Sequence, residues 1–221
     1  MTVLLAGGAA PTHEKPLGLL RKADRLIACD GAWRTALDLG RRPDAVVGDG
    51  DSAGHDGRAE LLKLGIPFVS SAEQDTNDLR KAFRHAVDSL PEGDAIAILG
   101  ATGLREDHSI GNIFHLIDFA EELSRRRGDQ SGRRTLVSIV TDYGTFEPVL
   151  PPGREWDVGL HQPVSVFAPL PGTEMDSEGL EWPLGGVALD TLWRGTLNRA
   201  TGSSFSIRTN RPAIVYLTWV T

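Results

Sequence analysis

"RLIACDGAWRTALDLGRRPDAVVGDGDS", Arg25 to Ser52, decides the fold. "RLIAC" and "DAVVG" are short apolar runs, and each stops at an acidic, glycine-containing segment, "CDGA" and then "GDGDS". Runs of this length, apolar throughout and separated by helical patterns, read as strands buried on both faces of a parallel sheet. The same grammar extends outward in both directions. "TVLLA", "IPFVS", "DAIAIL" and "TLVSIV" supply further strands between Thr2 and about Asp142. Two amphipathic segments lie among them. From Asp75 to Leu90, the residues Leu79, Ala82, Phe83, Ala86, Val87 and Leu90 fall on one stripe. From Asp107 to about Leu123, Ile110, Ile113, Phe114 and Ile117 are expected to face inward.

After Pro151 and Pro152 the pattern changes to short, often alternating runs, "SVFAPL", "SFSIRT" and "AIVYLTWV", punctuated by glycine turns. That pattern reads as a small all-β sandwich. The expected fold class is therefore α/β: an N-terminal open, mainly parallel sheet with helices on both faces, plus a C-terminal all-β sandwich domain. The expected division is 1–148 and 149–221. "RRRGDQSGRR", Arg125 to Arg134, reads as an exposed connection.

The totals narrow the partners. Of 221 residues, 40% are hydrophobic and 24% charged, and the net charge is -7. An acidic surface of this kind disfavours a broad grip on nucleic acid or anionic lipid. No run approaches the roughly 18 apolar residues of a membrane span, and the N-terminus lacks a basic and apolar leader pattern. A cytoplasmic location is expected. The single cysteine, Cys29, reads as a small packed residue. Trp193 reads as a core residue ahead of its alternative, a ligand contact.

The polar residues are informative by where they stand. The strands end in "AGGAAP", "CDGA", "GDGDS", "SSAEQDTND" and "GATGLREDH". In an open parallel sheet these segments share the carboxyl edge, where ligands bind. Asp30, Asp49, Asp51, Asp75, Asp78, Arg105, Asp107 and His108 are thus expected to converge. Two like charges about 4 Å apart at an effective dielectric of about 20 repel by roughly 4 kcal/mol, so such a cluster calls for a cation. All-oxygen donors favour Mg²⁺, Mn²⁺ or Ca²⁺, and Mg²⁺ pairs with phosphate oxygens. Each acid also has a plainer reading. Asp75, Asp78 and Asp107 suit helix starts, and His108, Asn112 and His115 suit the polar stripe of a helix. Neither G-x-x-x-x-G-K-[ST] nor G-x-G-x-x-G occurs.

"CDGAWRTALDLGRRPDAVVGDGDS", "QDTNDLRKAF" and "GATGLREDHSIGN", in that order and before a β-rich tail, resemble the thiamine pyrophosphokinase (thiamine diphosphokinase) family. The resemblance continues more loosely through "GLEWPL" and "GTLN". It implies transfer of a diphosphoryl group from ATP to the hydroxyl of thiamine, giving thiamine diphosphate and AMP. It also implies Mg²⁺ and a homodimer whose active sites are shared between subunits. Carried over by position, Asp49, Asp51, Asp75 and Asp78 resemble the metal and phosphate cluster. Asp30, Gly31, Thr102, Gly103, Arg105, Asp107 and His108 resemble nucleotide contacts. Trp182 and Asn198 resemble thiamine contacts, and Asp51 or Asp78 is a candidate acceptor for the alcohol proton. Two positions depart from the family pattern: Leu197 stands where Ser is usual, and Ala32 where a second Gly is usual. The alternatives are a Mg²⁺-dependent phosphohydrolase acting on a nucleotide or phosphosugar, and a non-catalytic thiamine or nucleotide sensor.

Overall fold

A computed structural model describes residues 1–51, 54–71, 76–91, 93–128 and 136–219. Asp75 and the segment 129–135 lie outside these residues. The chain forms two compact units, Met1–Ile113 with Ile139–Asp142, and Phe114–Ser138 with Tyr143–Thr221.

In the first unit, strands β1 (Thr2–Leu5), β2 (Arg25–Cys29), β3 (Ala45–Gly48), β4 (Phe68–Ser70), β5 (Ile96–Leu99) and β6 (Val137–Val140) follow the six apolar runs. Their order across the sheet is β6-β5-β1-β2-β3-β4, and the pairs β5–β1, β1–β2, β2–β3 and β3–β4 are parallel. Every residue of β1, β3 and β5 is buried, so both faces of the sheet are covered. The covering helices of this half are α1 (Glu14–Lys22), α2 (Trp33–Asp38), α3 (Gly54–Lys63) and α4 (Asp78–Val87); α5 (Glu106–Arg127) begins in the same unit. Strand order reverses between β1 and β5, which makes that pair the topological switch point where open α/β sheets take ligands.

Helix α4 is shorter than the apolar stripe suggested, because Asn77 ends its N-terminal extension. The Asn77 side chain accepts from the Arg80 N–H at 3.0 Å, an N-cap. Leu79, Ala82, Phe83, Ala86 and Val87 are buried as expected. Helix α5 differs more. Ile110 is 58% exposed, whereas Asn112, Leu116, Ile117, Phe119, Ala120 and Leu123 are buried. The inward stripe is rotated from the expected one because it starts at Asn112, whose amide is buried by hydrogen bonding. Its Nδ2 donates to the Ala101 carbonyl at 2.9 Å, and its Oδ1 accepts from Asn77 Nδ2 at 3.1 Å. The helix also continues through Arg125–Arg127, which the sequence pattern placed in a connection.

Asp142, just after β6, ties that strand end to the segment before α1. Its carboxylate accepts from the Thr12 and His13 N–H groups at 3.0 Å and from the Thr12 hydroxyl at 2.5 Å. Burial works to raise its pKa, but these donors prevail and hold it below the ordinary carboxylate value. A depressed folded pKa stabilises the fold above the unfolded value of about 3.9 and ceases to do so as pH falls through the folded value. Asp142→Asn is therefore expected to cost about 1–3 kcal/mol at pH 7. In paired thermal melts the gap between variant and parent should shrink toward pH 2.

The second unit carries strands β7 (Gly144–Val149), β8 (Gly153–Asp157), β9 (Pro163–Phe167), β10 (Met175–Glu178), β11 (Gly195–Arg199), β12 (Ser204–Thr209) and β13 (Ala213–Thr218). Two antiparallel arrays, β11-β9-β13-β7 and β10-β12-β8, form it. Alternate residues of β8, β9 and β12 point inward, and Val149, Trp156, Val164, Val166, Phe205, Ile207 and Val215 share one core. Trp156 stacks on Phe205 at 4.9 Å, and Glu147 accepts from both Arg154 and the Trp156 indole. Trp193 is 68% exposed and lies outside this core, contrary to the sequence reading: it sits in the turn-rich segment just before β11 and not on an inward strand position. Among the described residues no helix is long and apolar enough to cross a membrane.

Candidate active site

Gly48 is where the acidic edge is assembled. It ends β3 beside the first residue after β2, and a Cβ on it would lie 2.4 Å from the Asp30 Cβ. Only glycine allows that approach. It brings Asp30, fully buried in a 3-10 turn (Asp30–Ala32), next to Asp49. Asp78, first residue of α4, completes the group: one carboxylate oxygen from each of Asp30, Asp49 and Asp78 lies within 4.8 Å of the others.

The sequence reading had passed over Lys81. It stands one turn along α4 from Asp78, and its ammonium is 2.9 Å from Asp49 Oδ2 and 3.1 Å from Asp78 Oδ1, with only 2% of its side chain exposed. A lysine on an amphipathic helix ordinarily points to water; no local signal reveals a partner that arrives from β3. Electrostatics follow from these contacts. The Lys81 hydrogen bond, with help from the Asp51 N–H, holds the Asp49 carboxyl below the usual range. Burial pushes Asp78 up despite Lys81. Burial also pulls on Lys81, but its two carboxylate bonds keep its pKa raised. The buried thiol of Cys29 is pushed far up by burial and by Asp78 and Asp30, so it is an inert packed group.

Asp49, Asp78, Lys81 and Cys29 border a cavity of ≈ 460 Å³ at the switch point. Gly7 and Gly8 line it after β1, Cys29 at the end of β2 and Gly31 beyond it, Asp49 after β3, Ala101 and Thr102 after β5, and Arg105, His108 and Asn112 around the start of α5. Gly8 packs so tightly that a Cβ would sit 2.4 Å from the Gly100 carbonyl. The Thr76 hydroxyl, also in the lining, is buried with no hydrogen-bond partner among the described residues.

Arg105 and Asp107 form an exposed bidentate pair at 3.1 and 2.5 Å, and Asp107 also accepts from the His108 N–H at 2.9 Å. The guanidinium lowers the Asp107 pKa to about 2. Asp51 is exposed, beyond the 4.8 Å triad, and joins the site through its backbone N–H. Gly103, at φ 98°, makes the turn between Thr102 and Arg105.

In the second unit, Asn198 is buried, and its amide clasps the backbone of Trp182: Nδ2 donates to the Trp182 carbonyl at 2.6 Å, and Oδ1 accepts from the Trp182 N–H at 3.2 Å. The indole itself is 53% exposed beside a cavity of ≈ 340 Å³ shared with Pro183, Leu184 and Leu197. Leu197 is 86% exposed at φ 61°, in the irregular stretch of β11, and its N–H donates to the Ser165 hydroxyl at 3.3 Å.

Residues 17–125 match the catalytic domain of thiamin pyrophosphokinase, and residues 144–216 match the substrate-binding domain of the same enzyme. The chain belongs to the thiamine pyrophosphokinase family. Members of the thiamine pyrophosphokinase family are enzymes, diphosphotransferases of thiamine diphosphate biosynthesis. The thiamine pyrophosphokinase of Bacillus subtilis is 29% identical over 187 residues, 82% of this chain and 80% of the relative. Thiamine pyrophosphokinase 1 of Oryza sativa is 36% identical over 84 residues, 36% of this chain and 32% of that one. The fold is that of the solved thiamine pyrophosphokinases. The Bacillus subtilis structure matches with a TM-score of 0.74 at 21% identity over 99% of both chains. The yeast structure matches with a TM-score of 0.74 at 14% identity over 98% of this chain and 85% of that one.

Proposed function

We propose that the protein is a thiamine diphosphokinase, transferring a diphosphoryl group from ATP to the hydroxyl of thiamine and releasing AMP. The carrying observation is the union of Asp49, Asp78 and Lys81 on one cavity with Arg105 and His108, at the switch point of the sheet, with the buried Asp30 carboxylate within 4.8 Å of those of Asp49 and Asp78. The donor set is all oxygen, with three carboxylates gathered and one ammonium bonded to two of them, which fits a hard divalent cation. Asp49 and Asp78, with Asp30 behind them, would hold Mg²⁺; Asp51 and Asp75 are assigned to the same cluster by position. Bound there, Mg²⁺ supplies charge neutralisation on the phosphate oxygens.

The chain's own groups supply the rest. The tight turns at Gly8 and Gly103 let the nucleotide approach the backbone after β1 and β5, with Gly31, Thr102 and His108 as further contacts. The orphaned Thr76 hydroxyl gives a phosphate oxygen a donor. Arg105, oriented by its Asp107 fork, stabilises charge on the departing AMP. Asp78 is the better placed of the two candidate bases: it lines the cavity and Asp51 does not. Phosphoryl transfer asks little more of a protein than alignment and electrostatics.

In the β unit, assigned as the thiamine-binding domain 149–221 beside a catalytic domain 1–148, the exposed Trp182 offers a face for the cationic thiamine rings. Asn198 holds that residue's backbone in place. In the reading we favour, two copies pair so that the β domain of one closes the catalytic domain of the other, and the enzyme works in the cytoplasm. Incubation with ATP, Mg²⁺ and thiamine is expected to yield AMP and thiamine diphosphate in equal amounts, with no AMP when thiamine is omitted. Product release from ATP without thiamine would assign a phosphohydrolase instead, and tight thiamine binding without turnover a sensor.

A further inference from the structure

The site contains its own cation. Asp30, Asp49 and Asp78 carry three negative charges and Lys81 one positive, so these four groups leave a net negative charge for a divalent ion to meet. We propose that Lys81 is a tethered counter-charge that sets the affinity of this site for divalent cations: it holds the carboxylates together in the cation-free protein and weakens binding of the ion when it comes. The inference rests on the metal-site reading above and goes beyond it, because it assigns a role to a residue that is not itself a ligand.

Three observations support this. First, the ammonium is committed: with 2% of its side chain exposed it cannot exchange carboxylates for water, and burying such a charge is costly unless it is paired. Second, its two partners come from different elements, Asp49 from the end of β3 and Asp78 from the first turn of α4, so it pins a helix start to a strand end at the place where repulsion would push them apart. Third, the geometry is fixed by the helix. A side chain at i+3 leans back toward the N-terminus over residue i, so Lys81 reaches the Asp78 carboxylate with no special loop.

A group of this kind acts in opposite directions on the two states. Without a divalent ion, Lys81 lowers the repulsion among three carboxylates. With the ion present, its positive charge repels the newcomer across a few ångströms in a partly desolvated site, where Coulomb terms are several-fold larger than in water. The ion therefore binds less tightly than the bare carboxylates would hold it. Lys81 is a positioning residue, acting through Asp49 and Asp78.

Titration of the whole protein with Mn²⁺ alone, followed by the loss of free-ion electron paramagnetic resonance signal, tests this in the wild type, Lys81→Met and Lys81→Arg. Lys81→Met is expected to bind Mn²⁺ about tenfold or more tightly than wild type. Its melting temperature is expected to fall below wild type without Mn²⁺ and to rise more on adding it. Lys81→Arg, which keeps the charge, should bind within about threefold of wild type. A merely structural lysine would leave Mn²⁺ affinity unchanged or lower it in the Met variant, and either result overturns the proposal. If Lys81→Met is unfolded without Mn²⁺, recovery of the folded signal on adding millimolar Mn²⁺ supports the proposal and failure to recover contradicts it. Absence of Mn²⁺ binding by the wild type would sink the metal-site reading itself, an outcome separate from an unaltered Lys81→Met.

Discussion

Asp49→Asn is expected to lower turnover of ATP and thiamine by roughly 10³-fold or more while the folded protein persists. Asp49 follows Gly48 at the carboxyl end of β3 and offers Oδ2 to Lys81 and Oδ1 to the Asp51 N–H. The amide replacement keeps the size and one acceptor but removes a unit of charge from the place where a divalent ion has to be held. Stability should change little, by about 1 kcal/mol or less, because the Asp49 side chain is partly exposed and the amide keeps an acceptor for Lys81. Lys81 keeps Asp78 as a partner, so no buried charge is stranded. Steady-state assays beside urea unfolding separate the two effects. A variant that unfolds, or one that retains wild-type turnover, would remove Asp49 from the site.

Phe83→Ala is expected to destabilise the protein by about 3–5 kcal/mol, a large share of the roughly 5–15 kcal/mol that holds a typical domain together. Phe83 is fully buried on α4, among the largest side chains in the interior, and with Ala82 and Ala86 it fixes that helix against the sheet. Since α4 also carries Asp78 and Lys81, loosening it should reduce the affinity for ATP and Mg²⁺ as well as the urea midpoint. Phe83→Leu, which refills most of the volume, should recover more than half of the loss. A cost below about 1 kcal/mol for Phe83→Ala would mean that α4 is not anchored through this ring.

Much of this could be read from the chain because the signals are local. The six apolar runs became strands, and since the parallel β2, β3 and β4 lead on one sheet edge into Asp30, Asp49 and the segment before Asp78, these acids could be expected to meet. The sandwich was legible from alternation in "SFSIRT" and its neighbours. What escaped was non-local. Asn112 is buried because Asn77 and the Ala101 carbonyl satisfy its amide, so the inward face of α5 begins with a polar residue and hydrophobic spacing pointed to Ile110 instead. Lys81 is buried because a carboxylate from another strand meets it. The hold of the Asn198 amide on the Trp182 backbone is a contact sixteen residues distant that no motif encodes. Trp193, read as a core residue ahead of a ligand contact, is exposed, because the turn that carries it offers no inward position.

The central claim is that aspartates from separate strand ends and a helix start surround one divalent ion. Anomalous diffraction from crystals grown with Mn²⁺ tests it most directly. The expected map has a peak within about 2.5 Å of carboxylate oxygens of Asp49 and Asp78. A map with no peak there at saturating Mn²⁺, or with its ion held by other residues, would contradict it.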